Sequence, residues 1–596
     1  MVRLSIDQLR LLHGQNDMPA LQPYISHHQG HGFVDMQNED ITLASVAQSI
    51  QPQATGWWFF VLFAVLAGLA LVGQALSRQS LVERDSYPTL AALGLRPRQL
   101  WGLGLLRAAA IGVVGAIGSV ALAYAVSDLT PVGEARAAAS SLGFVFSGVL
   151  FGVGALVVVV TVIALAVVPS WRAAQNRHRQ DAHELPAGHT NVAVTLVARA
   201  GAPASVVVGV RNALDRGRGR TSVPVVTALV GATVAVVALV ATSVFGASLT
   251  HLVTTPPLYG QNWQLDLGNM TTPQLNTALA TMKPAPKVTK ITWGFAGKYI
   301  DVGSVPVQGI FVNVAKGPLA FSLVNGHAPH GDSQILLGST TMTQAKLHVG
   351  SSVLVSLIIK NGKKLQHNFR VVGTVTLPPT FSAGGLGAGA VVPFHAALAL
   401  ACTNSPDKSK CAKGLIKSIG GWGMAVGFAP GSSSHAVLRQ LQRQFSQNVN
   451  VLGVPDNLVN FGQAVDFPLL LGVTLALFGA ATLAHLLFVS VARRRRQVAL
   501  LKVLGFVRRQ VLVATCWQAL TVVAVGLVIG VPLGIVAGRT VWCLFASHLG
   551  AVPVAVIPVG LISAVCAVII VGGVALALAP AAFAVRVRPA EALREA

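Results

Sequence analysis

Seven apolar runs, each about as long as a bilayer is thick, set the pattern of this chain. They lie near 57–75, 103–125, 144–168, 223–245, 468–491, 512–537 and 556–579, and runs of about 20 residues match the roughly 30 Å hydrocarbon core as helices. A soluble protein with seven core helices would show far more polar helix faces than these runs do. Between the fourth and fifth runs, residues 247–466 change character. Short alternating or β-branched stretches there, QLDLG, KVTKITWGF, GSVPVQGIFVNVA, SSVLVSLIIK and HNFRVVGTVTL, predict strands. Helices are expected at 435–445 and 393–401, so this segment reads as an α+β domain.

The apolar pattern is duplicated. LAALGLRPRQ from Leu90 recurs as LKVLGFVRRQ from Leu501, an offset of 411 residues. The same offset carries Gly115 to Gly526, Leu122 to Leu533 and Pro169 to Pro580, so 75 residues separate Gly94 from Pro169 and Gly505 from Pro580. Each copy sets a short basic segment between apolar spans. Val498, Leu501 and Leu504 or Gly505 recur at helical spacing as an apolar stripe, and Gly505 is placed to stop the helix.

Charge orients the chain. Of 43 Lys and Arg, 22 fall within 76–101, 170–221, 493–511 and 586–596, which share one side if the spans alternate. Short loops rich in Lys and Arg mark the cytoplasmic side, so the N-terminus is expected outside and the C-terminus inside. The net charge of +23 therefore reads as membrane orientation. Nucleic acid is not an expected partner, because no basic surface is interleaved with aromatic residues. Membrane lipids are: VVVGVRNALDRGRGR, at 206–220, predicts an amphipathic helix on the inner surface, with Arg211, Arg216, Arg218 and Arg220 at lipid headgroups.

Other candidate chemistry is thin. Cys402 and Cys411 flank a polar loop in the external segment, and an oxidising compartment predicts a disulfide between them. Cys516, Cys543 and Cys566 read as buried hydrophobes. His27, His28 and His31 could ligate a metal but read better as a solvated tail, and no metal site is assigned. GGLGAGA at 384–390 superficially resembles a phosphate loop but reads as a flexible surface loop. The chain has no GxxxxGK[ST] segment and no catalytic triad pattern, so it is read as a non-enzyme that binds no cofactor itself. Arg107 and Gln518 hold equivalent positions within spans, as do Gln74 and His485. Contacts between helices or snorkelling explain them more simply than a proton path.

ERDSYPTLAALGLRPRQL from Glu83 and RRRRQVALLKVLGFVRRQV from Arg493, with PSWRAA and the closing PAAFAVRVRPAEALREA, resemble the FtsX-like permease domain of ABC transporters. The resemblance covers 55–170 and 222–596, and the external domain is similar, loosely, to the MacB-like periplasmic core. With the seven apolar runs read as transmembrane helices, it implies an α-helical integral membrane protein of a bacterial plasma membrane, with two fused FtsX-like units and an α+β extracytoplasmic domain. The expected division is 1–54 a remnant of a first extracytoplasmic domain, 55–170 the first three-helix unit and 171–221 a cytoplasmic linker. A transmembrane helix at 222–246, the α+β domain at 247–466 and the second three-helix unit at 467–596 complete it. A family unit has four spans, so an upstream span and most of a first external domain are expected to be missing.

The resemblance also implies a partner, a dimer of separate ABC ATPase subunits that uses ATP. The coupling positions carried over are Leu90, Leu93, Gly94, Arg96 and Arg98, and Leu501, Leu504, Gly505, Arg508 and Arg509. Gln497 replaces a glutamate common in the family, and Pro97 interrupts the first basic pair. Export or handling of a lipid, lipoprotein, peptide or drug is the implied task. The alternative is a non-transporting regulator that passes ATPase motion to an extracytoplasmic cell-wall hydrolase. An ion-driven carrier with inverted repeats fits less well, because the two units run in the same sense and lack membrane carboxylates.

Overall fold

The computed structural model describes residues 86–127, 147–175, 192–214, 225–358, 364–378, 386–402, 405–418, 421–429, 449–450, 466–493 and 495–586, with helical positions scattered over 58–79. Two compact units emerge. One is built from Thr255–Asn457 and Phe545–Pro553, the other from Gly56–Thr254, Leu458–Leu544 and Val554–Ala596. The expected helix at 435–445, the histidines at 27–31 and the 1–54 segment lie outside the described residues.

The helical unit follows the apolar runs. Its elements are α1 (Tyr87–Ala92), α2 (Pro97–Val126), α3 (Gly148–Gln175), α4 (Val192–Arg199), α5 (Ala204–Leu214), α6 (Val225–Thr254), α11 (Asp466–Arg493), α12 (Arg495–Val503), α13 (Arg508–Leu549) and α14 (Val559–Arg586). Among the described residues, α2, α3, α6, α13 and α14 are long and apolar enough to cross a membrane. The apolar positions cover each helix all round, as a lipid-facing span requires. α13 has 42 residues against the 26 expected from its apolar run. Pro532 stands inside it without ending it, which neighbouring membrane helices make tolerable.

The amphipathic prediction at 206–220 is corrected in part. α5 covers 204–214, while Arg216, Arg218 and Arg220 lie outside the described residues, and α5 packs on protein rather than leaving its apolar face to lipid. A Cβ on Gly209 would stand 2.5 Å from the Ala514 carbonyl oxygen and 2.7 Å from the Trp517 Cβ, so α5 lies hard against α13. Ala213 joins Leu483, Leu487, Ala519, Val522 and Val523 in a buried cluster.

The α+β unit is one mixed sheet. Its strands are β1 (Leu265–Met270), β2 (Val288–Val302), β3 (Val305–Lys316), β4 (Ser322–Gly326), β5 (Gln334–Gly338), β6 (Ser352–Ile358), β7 (Lys364–Thr376), β8 (Ala390–Pro393), β9 (Trp422–Phe428) and β10 (Val449–Asn450). The order is β10-β1-β9-β2-β3-β8-β5-β7-β4, with β6 paired to β2 and β7. All five strand stretches read from sequence are present. The helices α7 (Thr272–Met282), α8 (Ser339–Gln344), α9 (Phe394–Ala401) and α10 (Lys408–Ser418) complete the unit.

Both sheet faces are buried, as the alternation in β3 requires. Phe311 joins Leu275, Met282, Phe394 and Trp422 on one face, while Ile310 and Val312 join Trp263, Phe321 and Leu336 on the other. Cys402 and Cys411 are joined in a disulfide that bridges α9 to α10.

The surface-loop reading of 384–390 is wrong. Leu386 and Gly387 are buried, and Ala390 opens β8 at the centre of the sheet, parallel to β3. Gly389 has φ +118°, and Gly387 lies against the Gly550 backbone too closely for a side chain. Residues 545–553 form part of the α+β unit: the Thr376 hydroxyl donates to the Gly550 carbonyl at 3.0 Å, and the Val552 amide to the Leu258 carbonyl at 3.0 Å.

Candidate functional site

The duplicated basic segment folds into the same turn twice. α1 and α12 each stop at a glycine with positive φ, +94° at Gly94 and +97° at Gly505, a conformation that costs a side-chain-bearing residue about 1 kcal/mol or more. The Leu95 amide then reaches back to the Leu90 carbonyl at 3.2 Å, and the Phe506 amide to the Leu501 carbonyl at 3.0 Å. Gly94 donates to Ala91 and Gly505 to Lys502. These bonds satisfy carbonyls that a helix end would otherwise leave open.

The next helix opens the same way in both copies. Gln99 Oε1 accepts the Arg96 amide at 2.8 Å, and Gln510 Oε1 accepts the Val507 amide at 3.0 Å. The glutamine of the LG-x-x-x-R-Q pattern therefore closes the start of α2 and of α13. Its position in the sequence pattern was visible, but its role was not. Pro97 is not an interruption: as the first residue of α2 it brings a preset φ and lacks an N–H that would have no helical partner.

Packing repeats as well. Tyr87, Leu95, Leu100, Ala173 and Ala174 form one small core, and Val498, Phe506, Val511, Ala584 and Val585 form the other, every pair 411 residues apart. From 90 to 100 and from 501 to 511 the succession of exposed and buried positions is the same. One tie is particular to the second copy. Lys502 Nζ donates to the Val585 carbonyl at 2.8 Å, where the first copy has Ala91. Partial burial, then the Arg508 charge, push the Lys502 ammonium below the usual lysine range.

The coupling positions taken from the resemblance divide into two roles. Leu90 and Leu501 are half-buried, and Gly94 and Gly505 shape the turn. Leu93 and Leu504 are 75% and 79% exposed at the tips. Arg96, Arg98, Arg508 and Arg509 are exposed beside them. The single apolar stripe expected on α12 is thus split, with Val498 turned inward and Leu504 outward. Neither α2 nor α13 has an acidic residue in its first turn. Arginines there oppose the positive end of the helix dipole, by about 0.3–1 kcal/mol each. Each turn therefore offers an exposed leucine beside exposed arginines, which suits an anionic partner with an apolar socket.

Within the spans, Gln518 is buried and donates to the Ser490 hydroxyl at 2.9 Å, a bond between α13 and α11. Its equivalent Arg107 is exposed. The side chains of Gln74 and His485 lie outside the described residues.

The sequence model of the FtsX-like permease C-terminal domain matches this chain twice, over 58–176 and over 469–586, starts that are again 411 residues apart. The chain carries two FtsX-like permease domains. FtsX-like permeases are non-catalytic membrane subunits of ABC transporters, and this one is a membrane-embedded, permease-type subunit of that kind. The family implies, in general terms, an ABC ATPase as partner. No curated protein matches the permease.

Proposed function

We propose that this permease couples a dimer of separate ATPase subunits to export or extracytoplasmic handling of a lipid, lipoprotein, peptide or drug, by transmitting force. The observation that carries the reading is the paired turn. Eleven residues keep one hydrogen-bond scheme and one exposure pattern in both copies, although most of their side chains differ. A plain re-entry turn needs neither the exposed leucine nor the arginines, whereas a docking handle needs both. Leaving a leucine exposed forgoes about 1.5–3 kcal/mol of burial, which a partner surface recovers.

In this reading the chain has seven spans, with its C-terminus and both turns on the cytoplasmic side of a bacterial plasma membrane. Leu90, Leu93, Gly94, Arg96 and Arg98 form one handle, and Leu501, Leu504, Gly505, Arg508 and Arg509 the other. ATP closes the ATPase dimer beneath them, and the spans tilt as levers. The α+β unit, related to a MacB-like core, is the part that moves against the substrate.

The test is co-purification of an ABC ATPase subunit with the full chain. Leu504→Asp with Arg508→Asp should abolish it while membrane insertion is retained. Unchanged co-purification would refute the coupling assignment.

A further inference from the structure

The α+β unit carries an open groove of about 620 Å³ where the C-terminal end of α7 meets β2 and β3. Ligand clefts run to about 300–1,000 Å³ and combine apolar walls with a few convergent polar groups. Across the groove's sheet side stands a cross-strand pair, Trp293 of β2 opposite Asn313 of β3, so both side chains rise from one face. Leu279 of α7 and, at its end, Lys283 line the helix side.

The groove is built from fixed parts. Ile291 opposes Lys316 and Thr292 opposes Val314, so Ala315 is an extra residue in β3. A bulge of this kind bends the strand and re-aims its side chains. Just past it, Lys316 Nζ donates to the Lys283 and Ala285 carbonyls at 3.0 Å each, which ties the end of α7 to the strand. The Trp293 ring is held by Phe394 and Trp422, at centroid distances of 5.6 and 5.5 Å. Trp422 is buried and donates its indole N–H to the Thr272 hydroxyl at 3.2 Å. Trp293 is only half-buried. Among the described residues, its N–H, the Asn313 side-chain amide and the Lys283 ammonium have no hydrogen-bond partner.

Three unpartnered polar groups around a fixed aromatic ring narrow the choice of occupant. An acyl chain would cover them with nothing to bond. An added β-strand finds no edge at Trp293, whose strand is already paired at Asn313 and at Met424. A sugar ring offers an apolar C–H face to the indole and hydroxyls to the amide. Among the described residues no carboxylate lines the groove. Residues 247–466 hold 16 Lys and Arg against six Asp and no Glu, a balance that favours an acidic sugar over a neutral one.

We propose that this groove binds a saccharide bearing a carboxylate. One ring face lies on the Trp293 indole, neighbouring hydroxyls bond to the Asn313 amide and the indole edge, and the carboxylate pairs with Lys283. The site is separate from the coupling turns, and its test involves no ATPase.

The probes are methyl β-glucuronide, methyl β-glucoside, which has the same ring without the charge, and hexanoate. Each is added to the purified full chain in lipid nanodiscs, and saturation-transfer NMR reads binding after subtraction of empty nanodiscs. The glucuronide should bind about threefold more tightly than the glucoside, the size of one exposed ion pair, with saturation strongest on its ring C–H protons. Lys283→Ala should remove that preference. Asn313→Ala should weaken both sugars by about fivefold. Trp293→Ala should abolish the signal, and Trp293→Tyr, which keeps an aromatic face, should retain it. If Trp293→Ala also lowers the unfolding temperature, the Trp293→Tyr, Asn313 and Lys283 variants decide. No signal from either sugar, an unchanged preference in Lys283→Ala, or unchanged binding in Asn313→Ala would overturn the proposal. So would displacement of the glucuronide by equimolar hexanoate, which would mark an acyl site instead.

Discussion

The two FtsX-like repeats share their surface turns and differ in their spans, and the difference separates what is constrained from what is free. At the turns the backbone scheme is held by Gly94 and Gly505 and by Gln99 and Gln510. In the spans the side chains drift but compensate. Gly112 meets Val162 in the first repeat, with a Cβ on Gly112 3.4 Å from that valine. In the second repeat the bulk has changed sides: Val523 meets Gly573, with a Cβ on Gly573 2.8 Å from it. Packed membrane helices need only complementary volume at a contact. Under the proposed coupling the turns need one shape, because a partner gripping both would present the same surface twice.

The largest expected effect breaks the comparison at α6. Gly530 of α13 is buried, and a Cβ on it would stand 2.7 Å from Val236 of α6, whereas Ser119 is exposed. Gly530→Leu should cost about 1–3 kcal/mol or more through overpacking against Val236, while Ser119→Leu at the equivalent position should stay within about 0.5 kcal/mol. Thermal unfolding of the purified permease in detergent reads both. Next is the volume swap. Val523→Gly opens a cavity and Gly573→Val creates a clash, each expected to cost about 1–3 kcal/mol, yet the double variant restores the first repeat's pair. A double-mutant cycle should give a coupling above about 1 kcal/mol, and simple additivity would show that the two contacts are unrelated.

Smaller effects sharpen the turns. Gly505→Ala should destabilise by about 1 kcal/mol because of its positive φ, and Gly94→Ala by the same amount. Unequal losses would mean that the turns are not equivalent. Lys502→Met should cost about 0.5–1.5 kcal/mol by removing the bond to Val585, and Ala91→Met should change little.

Much of this was legible in the chain. Bilayer-length apolar runs, β-branched alternation and the 411-residue offset are strong local signals, and they located five helices of membrane-spanning length among the described residues, five strands and both turns. What was missed involves glycine and chain reach. Glycines at 387 and 389 read as a loose loop because composition alone does not distinguish mobility from close backbone approach; here Gly550 explains the need at 387, and a φ of +118° the need at 389. The same ambiguity hid the packing of α6 on α13, since Gly526, Gly530, Gly534 and Gly538 look like ordinary small residues of a span. α13 was drawn too short because its last turns, with Arg539 and His548, are less apolar than the rest. The place of residues 545–553 in the α+β unit depends on pairings with Thr376 and Leu258, far away in sequence, which no local pattern encodes.

The most direct measurement for the central idea is accessibility of the two tips. Leu93→Cys and Leu504→Cys, each placed alone in a chain lacking Cys516, Cys543 and Cys566, are treated with a membrane-impermeant maleimide in right-side-out and inverted vesicles. The account predicts that both react only in inverted vesicles and that both are shielded when the ATPase is bound. Labelling of the two tips from opposite sides would contradict it, because no single ATPase dimer could then hold both.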